Sequence, residues 1–282
     1  MGNNPEFALT LVLTAAFLHA AWNAMIKGAG DRTLVLGLIS AAHVATGLVL
    51  MALFGSPDVA SWSYIAASVL IHWFYYWFLL ASYRLGDLSQ VYPVARGIAP
   101  LLVTAGAFLF AGETPGPVAL AGIVMVSFGI VILMWSTGRN RAGLAALGAA
   151  LATGLMIASY SVVDGLGVRA SQNALGYIGW LFFLEGLCFV FIFWIERGKL
   201  RTVPMATYRL GLTGGLFSSA AYGLVIFAKT LAPLGAISAV RESSVIIAAL
   251  IGVIWLGERP WRLRVLAAII VAGGIVTLAL LV

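Results

Sequence analysis

The chain has 282 residues, 62% of them hydrophobic and only 9% charged. A soluble globular domain carries about 25% charged residues, so the composition argues against a soluble enzyme or binding module and for a protein embedded in lipid. The net charge of +6 is no nucleic-acid footprint, because the basic residues lie in short loops between apolar runs, where they set orientation.

A bilayer-spanning helix needs about 20 mostly apolar residues. That window predicts ten helices, at roughly 6–27, 34–54, 61–84, 88–111, 115–135, 142–163, 174–196, 206–229, 236–256 and 262–281. Turn-like runs separate them, among them Gly28-Ala-Gly-Asp31, Gly55-Ser-Pro57, Gly86-Asp87, Gly112-Glu-Thr-Pro115, Gly138-Arg-Asn-Arg141 and Pro233-Leu-Gly235. Every connection is short, which leaves no room for a soluble domain. The opening MGNNPEF lacks a basic n-region and a cleavage site, so the first apolar run reads as a retained helix.

One stretch occurs twice. Residues 88–115 slide onto 236–260 at an offset of 145, which brings Arg96 onto Arg241, Gly112-Glu113 onto Gly257-Glu258 and Pro115 onto Pro260. Tyr75 and Ala81 match Tyr222 and Ala228 at a similar offset. The reading is an all-α membrane protein of ten transmembrane helices in two five-helix repeats, 1–137 and 138–282. An odd number of spans per repeat inverts the second repeat in the membrane. The loops after helices 1, 3, 5, 7 and 9 hold twelve basic residues, and the other side holds only Arg169 and Lys229. This bias predicts that those five loops are cytoplasmic and that both termini lie outside.

The two five-helix halves, each ending in a Gly-Glu-x-Pro turn (Gly112-Glu-Thr-Pro115, Gly257-Glu-Arg-Pro260) before a Gly-rich last helix, resemble the EamA-like transporters of the drug/metabolite transporter superfamily. The resemblance implies a carrier of the bacterial-type inner membrane that moves small metabolites by alternating access. It implies a central cavity lined mainly by helices 1, 3, 4, 6, 8 and 9. The chain departs from the family in two ways. Members are described with cytoplasmic termini, whereas the basic residues here say the reverse. The related four-helix multidrug transporters carry an acidic residue in helix 1, whereas helix 1 here has none after Glu6 and holds His19 instead.

An arginine inside an apolar run is costly in lipid and is expected to face a bundle interior or a watery cavity. Arg96 stands roughly 12 Å into helix 4 and Arg241 roughly 8 Å into helix 9. Guanidinium suits a carboxylate or phosphate bidentately, so both are candidate substrate ligands; a structural ion pair is the alternative. Further candidates are His19, Trp22 and Asn23, which share one face of helix 1 and are extended by Lys27, and the tyrosines Tyr75, Tyr76, Tyr92, Tyr160 and Tyr222. Tyr75 and Tyr76 share a face with His72 and Tyr83. Pro93 and Pro100 are expected to break helix 4 and free carbonyls. Glu242 and Glu185 are candidates for carrying a coupling proton, with a salt bridge to another helix as the alternative for each. Asp164 and Lys229 read as solvated at the membrane edge. Glu113 and Glu258 read as structural, accepting from free amides where the last helix of each half begins.

There is no Walker A sequence, so ATP drive is not expected. The three histidines look isolated, and with one cysteine they give no metal-ligand spacing; no cofactor is expected. The sequence therefore reads as a secondary active transporter, an exporter of small polar metabolites such as amino acids or organic anions. A multidrug or organic-cation proton antiporter is the alternative, and an integral-membrane lipid-modifying enzyme a more distant one, since no catalytic cluster stands out. The expected partners are a small-molecule substrate, the bilayer and a coupling proton, with no nucleic acid.

Overall fold

Lipid offers the backbone no hydrogen-bond partner, so apolar runs must fold as helices there. The computed structural model describes residues 4–27, 31–85, 88–135, 143–247 and 261–280. Its long helices are α1 (Pro5–Lys27), α2 (Arg32–Phe54), α3 (Trp62–Leu85), α4 (Leu88–Ala111), α5 (Pro117–Trp135) and α6 (Leu144–Ala170). They are followed by α7 (Ala174–Gly186), α8 (Cys188–Ile195), α9 (Arg197–Leu200), α10 (Met205–Ala228), α11 (Leu234–Arg241) and α12 (Trp261–Ala279). Among the described residues there is no strand. Six stretches there are long and apolar enough to cross a membrane: Thr33–Phe54, Pro93–Ala111, Leu144–Ala170, Ala174–Ile195, Met205–Ala228 and Arg262–Ala279. The outward faces carry Phe17, Leu53, Trp77, Leu109, Phe110, Trp194 and Ile269, each more than half exposed. Such a continuous apolar exterior belongs in hydrocarbon, not water. The chain is a multi-pass integral membrane protein.

Four expectations about elements need correction. The sixth helix runs on to Ala170 instead of ending near 163, which places Asp164 and Arg169 inside it. The seventh window splits at Leu187, whose N–H turns back to the Leu184 carbonyl at 3.3 Å. The ninth window is helical over Leu234–Arg241, turns at Glu242 and is helical again over 243–247; its remainder lies outside the described residues, with Gly257, Glu258 and Pro260. Helix α4 is continuous through Pro93 and Pro100. Each proline removes one backbone hydrogen bond, whereas a full break in lipid would strand several groups.

Packing follows a reciprocal pattern. α1 lies on α10 and α3 on α6; α4 lies on α6 and α1 on α11. α2 packs on α7, α4 on α11, and α5 on α12. The tightest crossings use glycine, as expected where lipid gives no hydrophobic drive and helices must gain dispersion by close approach. A Cβ on Gly47 of α2 would stand 2.5 Å from the Phe183 nitrogen and 2.7 Å from the Gly179 carbonyl oxygen of α7. At the α5–α12 crossing a Cβ on Gly274 would meet the Gly122 carbonyl oxygen at 2.7 Å.

Candidate functional site

The polar strip of α1 forms as its spacing requires. The Trp22 indole Nε1–H donates to His19 Nδ1 at 3.3 Å, and the Asn23 amide donates to the His19 carbonyl at 2.8 Å. The two rings meet edge to face at 5.2 Å between centroids. With Nδ1 accepting, a neutral His19 carries its proton on Nε2.

This strip lines a small cavity. Tyr75, Leu79 and Ser82 of α3, Ala95 and Arg96 of α4, and Thr153 and Ile157 of α6 complete the lining. All the lining segments fall toward the same end of the bundle: late in α1 and α3, early in α4 and α6. That end carries the loops rich in basic residues.

Arg96 is buried, and its Nε lies 2.9 Å from Glu242 Oε2. The turn at Glu242, where α11 ends, allows the carboxylate to reach α4. Two buried charges compensate one another here, and removing either would strand the other. Arg241, one residue earlier, points a different way and lies over the Tyr222 ring at 5.3 Å from its centroid. Both guanidinium charges are near enough to act on His19. The site thus joins two arginines and one carboxylate to an imidazole, an indole and phenols.

Behind Tyr75 stands an aromatic cage. His72 stacks on Tyr160 at 4.2 Å and meets Tyr75 and Tyr222 edge-on at 6.5 and 5.7 Å. His43, His72 and Glu185 converge next to the cage. Glu185 Oε1 lies 2.8 Å from His43 Nδ1, and Oε2 lies 3.3 Å from His72 Nε2. The histidines are therefore not isolated, contrary to the sequence reading: residues 142 apart in sequence form one of these contacts, and periodicity within a helix cannot reveal that.

The opposite end of the bundle is closed by polar side chains. Asp164 accepts from Tyr177 Oη at 3.1 Å and from Tyr222 Oη in a shorter bond. Lys229 donates its Nζ to the Ser161 carbonyl at 2.9 Å. Asp164 is 0% and Lys229 1% exposed, which corrects their reading as solvated groups at the membrane edge; the longer α6 carries Asp164 into the bundle. Arg169 reaches Glu113 at 2.7 Å and the carbonyls of Lys229 and Ala232 at 2.7 and 3.0 Å. Glu113 accepts from the Leu234 amide at 2.8 Å. Its carboxylate thus meets the first free amides of α11, not those of the helix that follows its own turn; Glu258 lies outside the described residues.

Of the residues singled out in sequence, His19, Trp22, Asn23, Tyr75 and Arg96 line the cavity. Tyr160 and Tyr76 pack on the lining residue Tyr75 at 5.6 and 5.4 Å, Tyr222 packs on Tyr160 at 5.7 Å, and Arg241 lies over Tyr222. The side chains of Tyr92, Tyr83 and Lys27 lie outside the described ones. Sequence reasoning missed Leu79, Ser82, Ala95, Thr153 and Ile157. Only Ser82 and Thr153 left a signal, as hydroxyls within apolar runs; both also bond backbone carbonyls of their own helices at 2.8 Å.

Comparison with known proteins gives two findings. Residues 144–280 match the model of the EamA-like transporter family. A solved crystal structure has the same fold, with a TM-score of 0.79 at 18% identity, covering 97% of this chain and 96% of that one. No curated protein matches the chain.

Proposed function

This chain belongs to the EamA-like transporter family, and from that premise we propose that it is a secondary active transporter exporting small polar metabolites with an anionic group, amino acids or organic acids, across a bacterial-type inner membrane. The observation that carries the reading is the cavity lined by Arg96, His19, Trp22, Asn23 and Tyr75. Among the described residues Arg96 in the lining and Arg241 near it face one carboxylate, Glu242, which leaves room for an anionic partner, and the indole and phenol faces suit an amphipathic body.

The reciprocal packing, with α1 on α10 answered by α6 on α3, supports two inverted five-helix repeats, 1–137 and 138–282, giving ten spans in all. Alternating access follows from their relative movement. The cavity lies toward the basic-rich loops, which the charge bias makes cytoplasmic, while Arg169 and Glu113 tie the far end shut. Both termini are then outside. Opening requires that tie to break while the cavity end closes.

The test is thermal shift of the purified protein against amino acids, organic acids, phosphonates and organic cations, with Arg96→Met and Arg241→Met beside the unaltered chain. A ligand that binds only the folded state raises its stability by mass action. Stabilisation by one anionic class, lost in both variants relative to their own baselines, is the expected result. Stabilisation by cations that persists in both variants would sink the reading and favour an organic-cation antiporter.

A further inference from the structure

We infer that His72 and Glu185 hold a dissociable proton between them, and that this pair is the site where a coupling proton binds, separate from the cavity. The inference rests on the transporter reading for its purpose, but not for its chemistry.

The argument begins with the tautomer of His72. Its Nδ1 lies 2.9 Å from the Ser68 carbonyl oxygen. The Ser68 hydroxyl lies 3.2 Å from the same nitrogen and can take either role, whereas a carbonyl oxygen can only accept, so the shorter contact is satisfied by a hydrogen on Nδ1. If the ring were neutral, Nε2 would then present a bare lone pair. That nitrogen faces Glu185 Oε2 at 3.3 Å. A lone pair facing an ionised carboxylate at this distance is repulsive, and both groups are buried, with Glu185 only 1% exposed. The contact is at ion-pair distance without hydrogen-bond alignment, and it becomes favourable once one of the two groups is protonated, His72 as imidazolium or Glu185 as carboxylic acid.

His43 carries no such requirement. Its Nδ1 donates to Glu185 Oε1 at 2.8 Å, and its Nε2 lies 3.2 Å from the Ser218 hydroxyl, which can donate. A neutral His43 satisfies every contact it makes. The extra proton therefore belongs to the His72 side of the carboxylate.

Among the described residues there is no other source of compensation. Both ion-pair partners of Glu185 among the described residues are histidines. The other titratable groups facing the cluster are Tyr75 and Tyr76 of α3, Tyr160 of α6, Tyr177 of α7, Cys188 of α8 and Tyr222 of α10. All of them are neutral when protonated. His43 and His72 stand near the middle of α2 and α3, and Glu185, at the end of α7, stands near the middle of the apolar stretch Ala174–Ile195, where an uncompensated charge is dearest. Loss of the proton leaves a net negative cluster and gain leaves a neutral one. The balance is simple: a proton arriving from water adds to the Nε2 or Oε2 lone pair, no bond to carbon changes, and the same proton leaves to water.

The route to the cavity is short. His72 meets Tyr75 edge-on, and Tyr75 lines the cavity. The Trp73 indole, next to His72 in sequence, donates to the Glu185 carbonyl at 3.1 Å. A change in charge at the pair therefore acts on α3, the helix that presents Tyr75 to the substrate.

The chain has three histidines, so ¹⁵N-histidine labelling of the whole protein in lipid gives three imidazoles to follow by solid-state NMR. Spectra taken from pH 5 to 9, with infrared spectra of the carboxyl band beside them, read both places the proton can sit. The expected result is one proton on His72 or Glu185 at the acid end that dissociates within the range, with the signal lost in Glu185→Gln and His72→Gln. A neutral His72 beside an ionised Glu185 throughout the range, or a proton that never leaves, overturns the inference. The unaltered protein alone decides this, whatever the variants do to folding. A second arm uses proteoliposomes and a radiolabelled mixture of the common L-amino acids. Glu185→Gln is expected to keep counterflow and to lose accumulation driven by a pH gradient at least tenfold; accumulation retained in that variant overturns the coupling role. Absence of counterflow in the unaltered protein counts against the transport reading instead, and leaves the spectra to judge the site.

Discussion

Replacing Gly47 by alanine places a methyl group 2.5 Å from the Phe183 nitrogen and 2.7 Å from the Gly179 carbonyl oxygen. Ordinary contact needs about 3.5–4.0 Å, so α2 and α7 must part by about 1 Å. The atoms in the way are backbone and cannot rotate aside. Gly223→Ala in α10 is the matched control, since its methyl would meet Ile178 and Phe182 side chains at 3.6 and 3.8 Å, in ordinary van der Waals contact. Both substitutions gain the same helix propensity, up to about 1 kcal/mol, and that gain cancels in the comparison. What remains is the overpacking cost at Gly47, about 1–3 kcal/mol. Unfolding of the detergent-solubilised protein, followed by tryptophan fluorescence, should put Gly223→Ala at or above the unaltered chain and Gly47→Ala below Gly223→Ala by that amount. Equal stability of the two variants would refute the close crossing of α2 on α7.

Three further outcomes are expected. Arg96→Met strands the buried Glu242 carboxylate and should lose about 3–5 kcal/mol in the same assay, most of which the double variant Arg96→Met with Glu242→Gln should recover; a double variant as weak as the single one would refute the pairing. Arg169→Gln removes the ion pair with Glu113 and the bonds to two carbonyls, and at about 1.5 kcal/mol for a partly exposed charge-assisted bond it should raise the labelling of Ser161→Cys by an impermeant thiol reagent about tenfold in a Cys188→Ser background, while unchanged labelling would argue that the tie closes nothing. In the loop before α2, the hydrogen bond from Lys199, then that from the Leu34 amide, holds the Asp31 carboxyl below the usual carboxylate range, and the Asp31 and Glu196 carboxylates push Lys199 up to about 12. A depressed carboxyl stabilises above its ordinary pKa and loses that contribution as pH falls through its folded value; a raised amine stabilises below its ordinary pKa and loses it as pH rises through about 12. Asp31→Asn should therefore weaken the protein slightly at neutral pH and not at strongly acid pH, less so in high salt, and a deficit that is the same at both pH values would sink the assignment.

The helices were legible because lipid makes one structure compulsory for an apolar run, and composition alone identifies such runs. Their ends were less so. Nothing local distinguishes the end of α6 at 163 from one at 170, and the choice decided whether Asp164 was read as solvated or buried. The face of α1 bearing His19, Trp22 and Asn23 could be read from i, i+3 and i, i+4 spacing, because the helix itself brings those side chains together. The partners of Glu242 and Glu185 could not. Arg96 is 146 residues from Glu242 in sequence, and His43 and His72 reach Glu185 from two other helices. The repeat offset located the two arginines but did not tell that one would be paired with a carboxylate and the other laid over a tyrosine ring.

The buried carboxylates of this bundle are compensated in three different ways, and the differences constrain where a proton can act. Asp164 accepts from two phenols, which hold their protons at neutral pH. Glu242 faces Arg96, whose guanidinium does not give up its proton in a protein. A substrate carboxylate reaching Arg96 would therefore compete with Glu242 for a charge that stays fixed, and such an exchange of anions needs no proton. Among the described carboxylates Glu185 alone has imidazoles for partners, the one side chain that changes charge between pH 5 and 8 in its unperturbed form. On this physical ground the proposed proton site and the proposed substrate site are distinct. Tyr75 is the contact between them, because its ring meets His72 on one side and the cavity on the other.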